Sequence, residues 1–384
     1  MSIKLGIGAT VSQTIRAFYQ GQLEYLVGRG YRITIITAPD PGLRQDLPPG
    51  VELHFVDFSR EFTPWRDLKT FVHLIRFFRQ QHFDMIQYST PKSTLLCALA
   101  GWIAGVPCRL YCMWGIYYSA LSGVKRTLFK MIEKIVCTLS THISPDGKDN
   151  RTFAIEEGLF PESKSSVVGE GSANGVDLER FDPDAHQIRG HQLRQELGIK
   201  ERTVVIGSVT RMVKDKGIEE LVRAFDKLSK ELPNACLLLV GPREDHRSPL
   251  SPVIWEFIKT QPCVRWVGPQ TEVPDYYAAM DLFVLPSYRE GFGIVNLEAS
   301  AMRLPVISTD VNGPRESIVP GKTGLLVPVR QIDPLYEAMK KLAVDAALRK
   351  EMGESGRRRV IESFDSKTMM RLWDEHRMKL CGKK

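Results

Sequence analysis

No long hydrophobic run occurs in this sequence. The stretch Leu95–Pro107 stops at thirteen residues, contains two glycines and ends on proline, whereas a membrane-spanning helix needs ~18 or more apolar residues in a row. The opening residues, Met1 to Gly8, pass straight into a strand pattern and lack the apolar core of a secretion signal. Paired cysteines are missing too. The seven present are odd in number with no Cys-x-x-Cys spacing, and Cys108 and Cys112 have no second pair of ligands. This argues against a disulfide framework or a zinc module and for small buried hydrophobes in a reducing compartment. A strong charge of one sign is lacking: the formal net charge is +7 over 384 residues. That excess is too weak to imply nucleic acid, and no nucleic-acid motif accompanies it. A phosphate-bearing ligand or an anionic membrane surface fits it as well. Internal repeats and low-complexity segments are absent. The expectation is a cytoplasmic protein, long enough for two or three domains and two full cores.

What is present is alternation. Short apolar runs at Ile3–Gly8, Arg32–Ala38, Val51–Phe58, Met85–Ser89, Arg109–Met113 and His142–Ser144 are separated by helical patterns. The clearest of these run from Gln13 to Val27 and from Trp65 to His82. Between Ser165 and Pro183 the periodicity fades into a turn-rich connector. Alternation then resumes with Thr203–Thr210, Cys236–Gly241, Val264–Gly268, Asp281–Pro286, Pro305–Thr309 and Gly324–Val327. Strands alternating with helices predict parallel sheets. The reading is α/β, with two Rossmann-like, doubly wound domains in tandem, their boundary near residues 165–177. Ligands in such sheets bind beyond the carboxyl ends of the strands, so two such domains facing each other predict a cleft. A final helical pattern, Asp365–Leu380, carries Met369, Met370, Leu372, Trp373 and Met378 and needs something to pack on.

The most informative segment is Pro286-Ser-Tyr-Arg-Glu-Gly-Phe-Gly-Ile-Val-Asn-Leu-Glu298. It reads as a strand end, a glycine-bearing turn and a helix start, with Glu290 and Glu298 on either side. Helix-start N–H groups attract anions, glycines let backbone approach a ligand, and carboxylates accept hydrogen bonds from hydroxyls. The layout suits a nucleotide sugar. A second loop, Arg211-Met-Val-Lys-Asp-Lys-Gly217, places Arg211 and Lys216 at another strand end of the same domain, a forked and a compact cation for phosphate oxygens. Two other phosphate motifs are incomplete. Gly321-Lys322-Thr323 lacks its upstream glycine, position 316 being Glu316, and Gly6-x-Gly8 is followed by Val11 where a third glycine belongs. Gly8 still opens a loop before a helix start, a place where a ligand can come close.

These segments resemble retaining glycosyltransferases of family 4, which have the GT-B fold. Glu-Gly-Phe-Gly-Ile-Val-Asn-Leu-Glu is similar to that family's paired-glutamate motif, and Arg-Met-Val-Lys-Asp-Lys-Gly to its diphosphate-binding segment. Ser172-Ala-Asn-Gly-Val-Asp-Leu-Glu-Arg-Phe181 and Leu304-Pro-Val-Ile-Ser-Thr-Asp-Val-Asn-Gly-Pro-Arg-Glu316 resemble two further stretches of the family. The resemblance implies a first, acceptor-binding domain of residues 1–166, a nucleotide-sugar-binding domain of residues 167–365, and a helix in 366–384 that crosses back to the first. It implies a hexosyltransferase in which Arg211, Lys216 and Glu290 do the chemistry. Arg211 and Lys216 would hold the donor diphosphate. Phe292, Gly293, Ile294 and Val295 would present backbone to sugar and phosphate, with Gly8 nearby. Glu290 would bind donor sugar hydroxyls and Glu298 the ribose hydroxyls. No cofactor or metal is implied beyond the nucleotide sugar, a UDP-sugar foremost.

Two departures from the family concern the acceptor side. Trp114-Gly115 stands where many relatives have histidine before glycine, and Gly8-Ala9-Thr10 where many have a double glycine; no general base is assigned. Phe58-Ser59-Arg60-Glu61 and Thr90-Pro91-Lys92-Ser93 resemble the branch that builds bacterial surface polysaccharide on a lipid diphosphate, implying a polyprenyl-diphosphate-linked saccharide as acceptor. Arg60 and Lys92 suit its phosphates, with Thr90 beside them. The uncharged segment Leu110–Val124, with Tyr117 and Tyr118, followed by Lys125, Arg126 and Lys130, predicts peripheral attachment to an anionic membrane, the inner face of the plasma membrane. The alternatives are a sugar-nucleotide epimerase or hydrolase of the same fold, and a noncatalytic saccharide-binding protein.

Overall fold

The computed structural model describes residues 3–19, 21–58, 63–245 and 248–382. Arg60 therefore lies outside the described residues. The chain divides into two compact units, Met1–Asn174 with Lys367–Lys384, and Gly175–Ser366.

The first unit runs β1 (Lys4–Gly8), α1 (Ser12–Phe18), α2 (Gln22–Gly28), β2 (Arg32–Thr37), β3 (Val51–Phe55), α3 (Pro64–Gln81), β4 (Met85–Tyr88), α4 (Pro91–Ile103), β5 (Cys108–Met113), α5 (Gly123–Leu139), β6 (His142–Pro145) and α6 (Lys148–Glu156). Its sheet has the order β3-β2-β1-β4-β5-β6, and every pairing is parallel. The second unit runs α7 (Pro183–Glu196), β7 (Val204–Val209), α8 (Ile218–Glu231), β8 (Ala235–Val240), α9 (Pro252–Thr260), β9 (Val264–Trp266), α10 (Val273–Ala278), β10 (Leu282–Leu285), α11 (Ile294–Ala301), β11 (Val306–Thr309), α12 (Pro314–Ser317), β12 (Gly324–Val327), α13 (Ile332–Val344) and α14 (Ala346–Ser363); α15 (Ser366–Leu380) follows. Its sheet order is β12-β11-β10-β7-β8-β9, again parallel.

Strands covered on both faces must be apolar on both, and the sequence shows it: every residue of β8, Ala-Cys-Leu-Leu-Leu-Val, is buried. Alternate side chains serve opposite cores. Ile206, Leu237, Leu239, Leu282 and Val284 pack under α8, α9 and α13. Val205, Leu238, Val240, Phe283 and Leu285 pack with Leu297, Val360 and Phe364 on the other side.

Two expectations change. The pattern from Gln13 to Val27 is two helices, because Gly21 takes φ 73° at the start of α2, a left-handed conformation that side chains disfavour. A Cβ there would also sit 3.2 Å from Met370 Cε of α15. Residues 167–174, given to the second domain by the family resemblance, group with the first unit, and the division at Asn174 falls within the connector read at 165–177. Val168 is part of its core, and Ser172 N–H donates to Asp146 O at 2.7 Å.

The apolar face of α15 packs within the first unit. Met369 and Trp373 are buried with Ile3, Tyr19, Leu23 and Leu26. Asp374 accepts from Arg29 Nε at 2.9 Å and from Tyr31 OH at 2.6 Å. The buried Arg377 guanidinium donates to Gln87 and Gln22, both at 3.0 Å. His376 Nε2 lies 2.9 Å from Ser144 Oγ. Burial first, and then the neighbouring His142 and cations, lower the His376 imidazole to about 4. Its folded value lies below its unfolded one, so between about pH 6.5 and 4 the unfolded chain binds the extra proton and stability drops as pH falls. From this ring the first unit is expected to lose about 1–2 kcal/mol between pH 7 and 5. Urea unfolding followed by tryptophan fluorescence at both pH values checks this, and His376→Gln should flatten the difference. An unchanged slope in the variant would acquit the ring.

Candidate functional site

The winding of the second sheet decides where its loops meet. The chain travels outward from β7 to β9, then returns beside β7 as β10. Loops leaving the carboxyl ends of β7 and β10 therefore open in opposite directions and leave a crevice, the usual ligand position of this architecture. The loop after β7 carries Arg211 and Lys216, and the loop after β10 carries Glu290.

Glycine brings the two loops together. Gly217 has φ 69°, and a Cβ on it would stand 2.0 Å from Pro286 O, so this close approach excludes any side chain. Next to it, Tyr288 N–H donates to Asp215 O at 2.9 Å. The outcome is an ion pair: Lys216 Nζ lies 2.6 Å from Glu290 Oε1, with the two side chains only 16% and 15% exposed. Ser287 Oγ donates to the same oxygen at 2.7 Å, and Thr309 Oγ1 donates to Ser287 O. An anionic and a cationic group are thus fixed at the mouth of the crevice. Arg211 is placed differently. It is 46% exposed and pairs with Glu244, Nη1 to Oε2 2.7 Å, because Gly241 lets the end of β8 press against Thr210, where a Cβ would meet Thr210 O at 1.9 Å. The structure therefore joins Lys216 to Glu290 and holds Arg211 on the β8 side.

Helix α11 starts at the same edge. Gly293 caps it at φ 83°, ψ 54°, the left-handed region open to glycine. Phe292 is buried against Phe364, ring centroids 5.5 Å apart, which anchors the turn. Ile294 and Val295 are half-buried, and first-turn N–H groups have no acceptor inside the helix. Glu298 lies one turn on, half-buried, and its Oε2 accepts from Tyr277 OH at 2.9 Å. Burial raises the Glu298 carboxyl, and the Tyr277 bond opposes that rise. Against this carboxylate the buried Tyr277 hydroxyl is held well above its ordinary value, by burial first and the Glu298 charge second. A carboxylate so placed suits neutral hydroxyl donors.

The first sheet has its own switch point, between β1 and β4. Thr10 N–H donates to Thr90 Oγ1 at 2.7 Å, and Thr90 and Ser93 hydroxyls lie 2.8 Å apart. Gly8 ends β1 here. A Cβ on it would meet Cys97 Sγ at 2.9 Å, so packing of α4 on the strand already requires the glycine. Lys92, proposed from the sequence as a phosphate partner, is mostly buried and pairs with Asp67 at 2.7 Å. Tyr117 is 44% exposed, edge-on to Phe129 at 5.1 Å. Tyr118 corrects the sequence reading: it is 1% exposed and belongs to the core, since the turn sends adjacent side chains in opposite directions.

Three residues of the site were missed. Ser287 lay inside the motif but without a role. Tyr277 and Glu244 come from α10 and the loop after β8, with no sequence signal of their own. One Asp-x-Asp spacing exists, Asp182-Pro183-Asp184. It is a helix start, with Asp182 accepting from Asp184 N–H at 3.1 Å and Asp184 paired with Arg303 at 2.5 Å. Among the described residues no group of three or more His, Cys, Asp or Glu is arranged to hold a metal ion.

Residues 191–359 match the family described as glycosyl transferases group 1, and residues 14–169 a glycosyl transferase 4-like domain. The chain is 31% identical over 368 residues to the capsular polysaccharide biosynthesis glycosyltransferase CapM of Staphylococcus aureus, covering 95% of this chain and 93% of that one. It is 24% identical over 348 residues to the Escherichia coli UDP-Gal:alpha-D-GlcNAc-diphosphoundecaprenol alpha-1,3-galactosyltransferase, covering 90% and 88%. The crystal structure of Anabaena HepE in complex with UDP is similar with a TM-score of 0.78 at 18% identity, covering 98% of this chain and 100% of that one, a likeness of fold.

Proposed function

The chain belongs to the group 1 glycosyl transferases, with a GT-B fold, and from that premise we propose that it moves a sugar from a nucleotide-diphosphate sugar, a UDP-sugar foremost, to a polyprenyl-diphosphate-linked saccharide in bacterial surface polysaccharide synthesis. The observation that carries the reading is the Lys216–Glu290 pair at the switch point of the second sheet. As the bond from anomeric carbon to phosphate oxygen weakens, negative charge grows on the departing diphosphate. Fixed donors aimed at that charge lower the barrier. Lys216 has three N–H donors and can serve a phosphate oxygen while keeping Glu290 oriented. Arg211 adds a forked donor from the exposed side, and the first turn of α11, from Gly293 through Val295, adds backbone N–H groups. These groups supply the charge without a metal. Glu290 accepts from donor sugar hydroxyls, and Glu298, oriented by Tyr277, accepts from the ribose. Transfer proceeds with retention, a donor phosphate oxygen taking the acceptor proton, so no separate base is assigned.

The acceptor is assigned to the first unit, at the Gly8–Thr90 switch point. Two relatives support its class by their names: one acts on a diphosphoundecaprenol-linked sugar, one in capsule synthesis. A lipid-borne acceptor brings the enzyme to the inner face of the plasma membrane as a peripheral protein.

The test is direct. Thermal shifts with UDP-, GDP- and ADP-sugars should single out one donor, with ~2.7 kcal/mol of stabilisation at a hundred times its dissociation constant. Labelled sugar from that donor should then appear on a polyprenyl-diphosphate saccharide, with unchanged anomeric configuration by NMR and full rate in EDTA. No incorporation from any donor would end the reading, and a strict magnesium or manganese requirement would end its metal-independent form.

A further inference from the structure

Helices α3, α4 and α5 form one layer of the first unit, with α4 in contact with both neighbours. Two of them show apolar stripes to solvent. On α3 these are Trp65, 80% exposed, with Leu68 and Val72; on α5 they are Val124, 86% exposed, with Leu128, Met131 and Ile135. The spacings of three and four residues place each set on one helical face. Helix α5 is the extreme case: of its seventeen residues only Val136 and Cys137 are buried. Exposed apolar surface of this extent marks an interaction site.

The charge of the layer identifies the partner. Helices α3, α4 and α5 carry nine Lys and Arg against two Asp and Glu, a surplus of seven that equals the formal +7 of the entire chain. Both acids are turned inward: Asp67 holds Lys92 at 2.7 Å, and Glu133 accepts from Tyr111 OH at 2.5 Å. Arg66, Arg126 and Lys130 are offset by Asp57 and Glu157. Lys69, Arg76, Arg79, Lys125 and Lys134 are exposed and have no ion-pair partner among the described residues.

We propose that this layer is a docking surface for an anionic lipid bilayer. The α3 and α5 stripes enter the headgroup region, and the flanking bases face lipid phosphates. A tryptophan at the exposed start of α3 fits the interfacial zone, where an amphipathic ring sits well. A second copy of this chain is disfavoured as occupant, since it would bring two like-charged faces together. Location adds a reason. Helices α3 and α5 follow β3 and β5 and begin at the carboxyl edge of the sheet, the edge that holds Gly8 and Thr90. Docking there sets a lipid-borne acceptor beside the first unit's switch point. The inference rests on that acceptor class and supplies the surface that meets its membrane.

Sedimentation with vesicles of phosphatidylglycerol and phosphatidylcholine in equal parts tests it. Binding is expected at low salt and should weaken about tenfold in high salt or on phosphatidylcholine alone. Leu128→Ser with Met131→Ser should weaken it to a similar degree, as should Lys125→Glu with Lys134→Glu. All four side chains are exposed, so unchanged circular dichroism and melting are expected. Both double variants should keep the wild-type rate on a water-soluble short-chain prenyl-diphosphate acceptor and lose rate on acceptor embedded in vesicles. Loss of transfer on both acceptors in the wild type would strike the proposed function, not the surface. Equal vesicle binding by wild type and variants would overturn the docking surface. So would a concentration-dependent dimer that the α5 variants abolish.

Discussion

Lys216→Ala is expected to slow sugar transfer by about a hundredfold or more, chiefly in kcat. The lysine does two things at once. In the proposed complex it is a largely covered cation that serves the departing diphosphate, where attraction is less screened by water. It also neutralises Glu290, at 2.6 Å and in a setting where both side chains are largely covered. Removal leaves a partly buried carboxylate with Ser287 as its remaining hydrogen-bond partner among the described residues, so Glu290 would lose its orientation toward the sugar. Arg211→Ala should cost less, because that side chain is half exposed and already offset by Glu244. Steady-state rates with a saturating donor decide the matter. A Lys216→Ala enzyme within about threefold of wild type would remove the residue from the transition state.

Trp373→Ala is expected to destabilise the first unit by about 3–5 kcal/mol, the cost of deleting a large buried aromatic. The indole sits among Ile3, Tyr19, Leu23 and Met369, with the buried Arg377 guanidinium 5.4 Å from its ring centre. The cavity left behind would also loosen a cation whose side-chain hydrogen-bond partners among the described residues are glutamine oxygens. Since two units need not unfold together, hydrogen exchange is the better readout. Amides of β1 and β2 should lose protection while those of β7 and β8 keep theirs. Uniform loss across both sheets, or none, would contradict the assignment of α15 to the first unit.

Much of this protein was legible from its sequence. The twelve strands among the described residues stand within a few residues of their apolar runs, because parallel strands covered on both faces read as near-continuous apolar runs. The Glu290 turn was legible for a related reason. Gly293 and Gly217 occupy positive-φ positions where side chains are strained, and such needs leave a mark on sequence. The apolar face of α15 announced a partner without naming it.

Other features depended on distances that sequence does not carry. The break at Gly21 hid inside a continuous helical period. Lys92 looked available in its own loop, yet its ion-pair partner Asp67 comes from the preceding helix. Tyr117 and Tyr118 are neighbours in sequence and opposites in exposure. The exposed apolar stripe of α5 begins at Val124, where the aromatic segment read from the sequence stops.

Residue order alone determined the element pattern, the two-sheet architecture and which charged side chains stand at the carboxyl ends of β7 and β10, since each follows from local periodicity, glycine geometry and side-chain type. Which acid meets which base was decided only by the tertiary structure. The return of β10 to the side of β7 brings Lys216 to a carboxylate 74 positions away, and packing of α4 against α3 and α5 leaves two apolar stripes and a group of exposed bases on one outer layer. Both depend on strand order and helix packing, which arise from the whole chain's burial and not from any short segment of it.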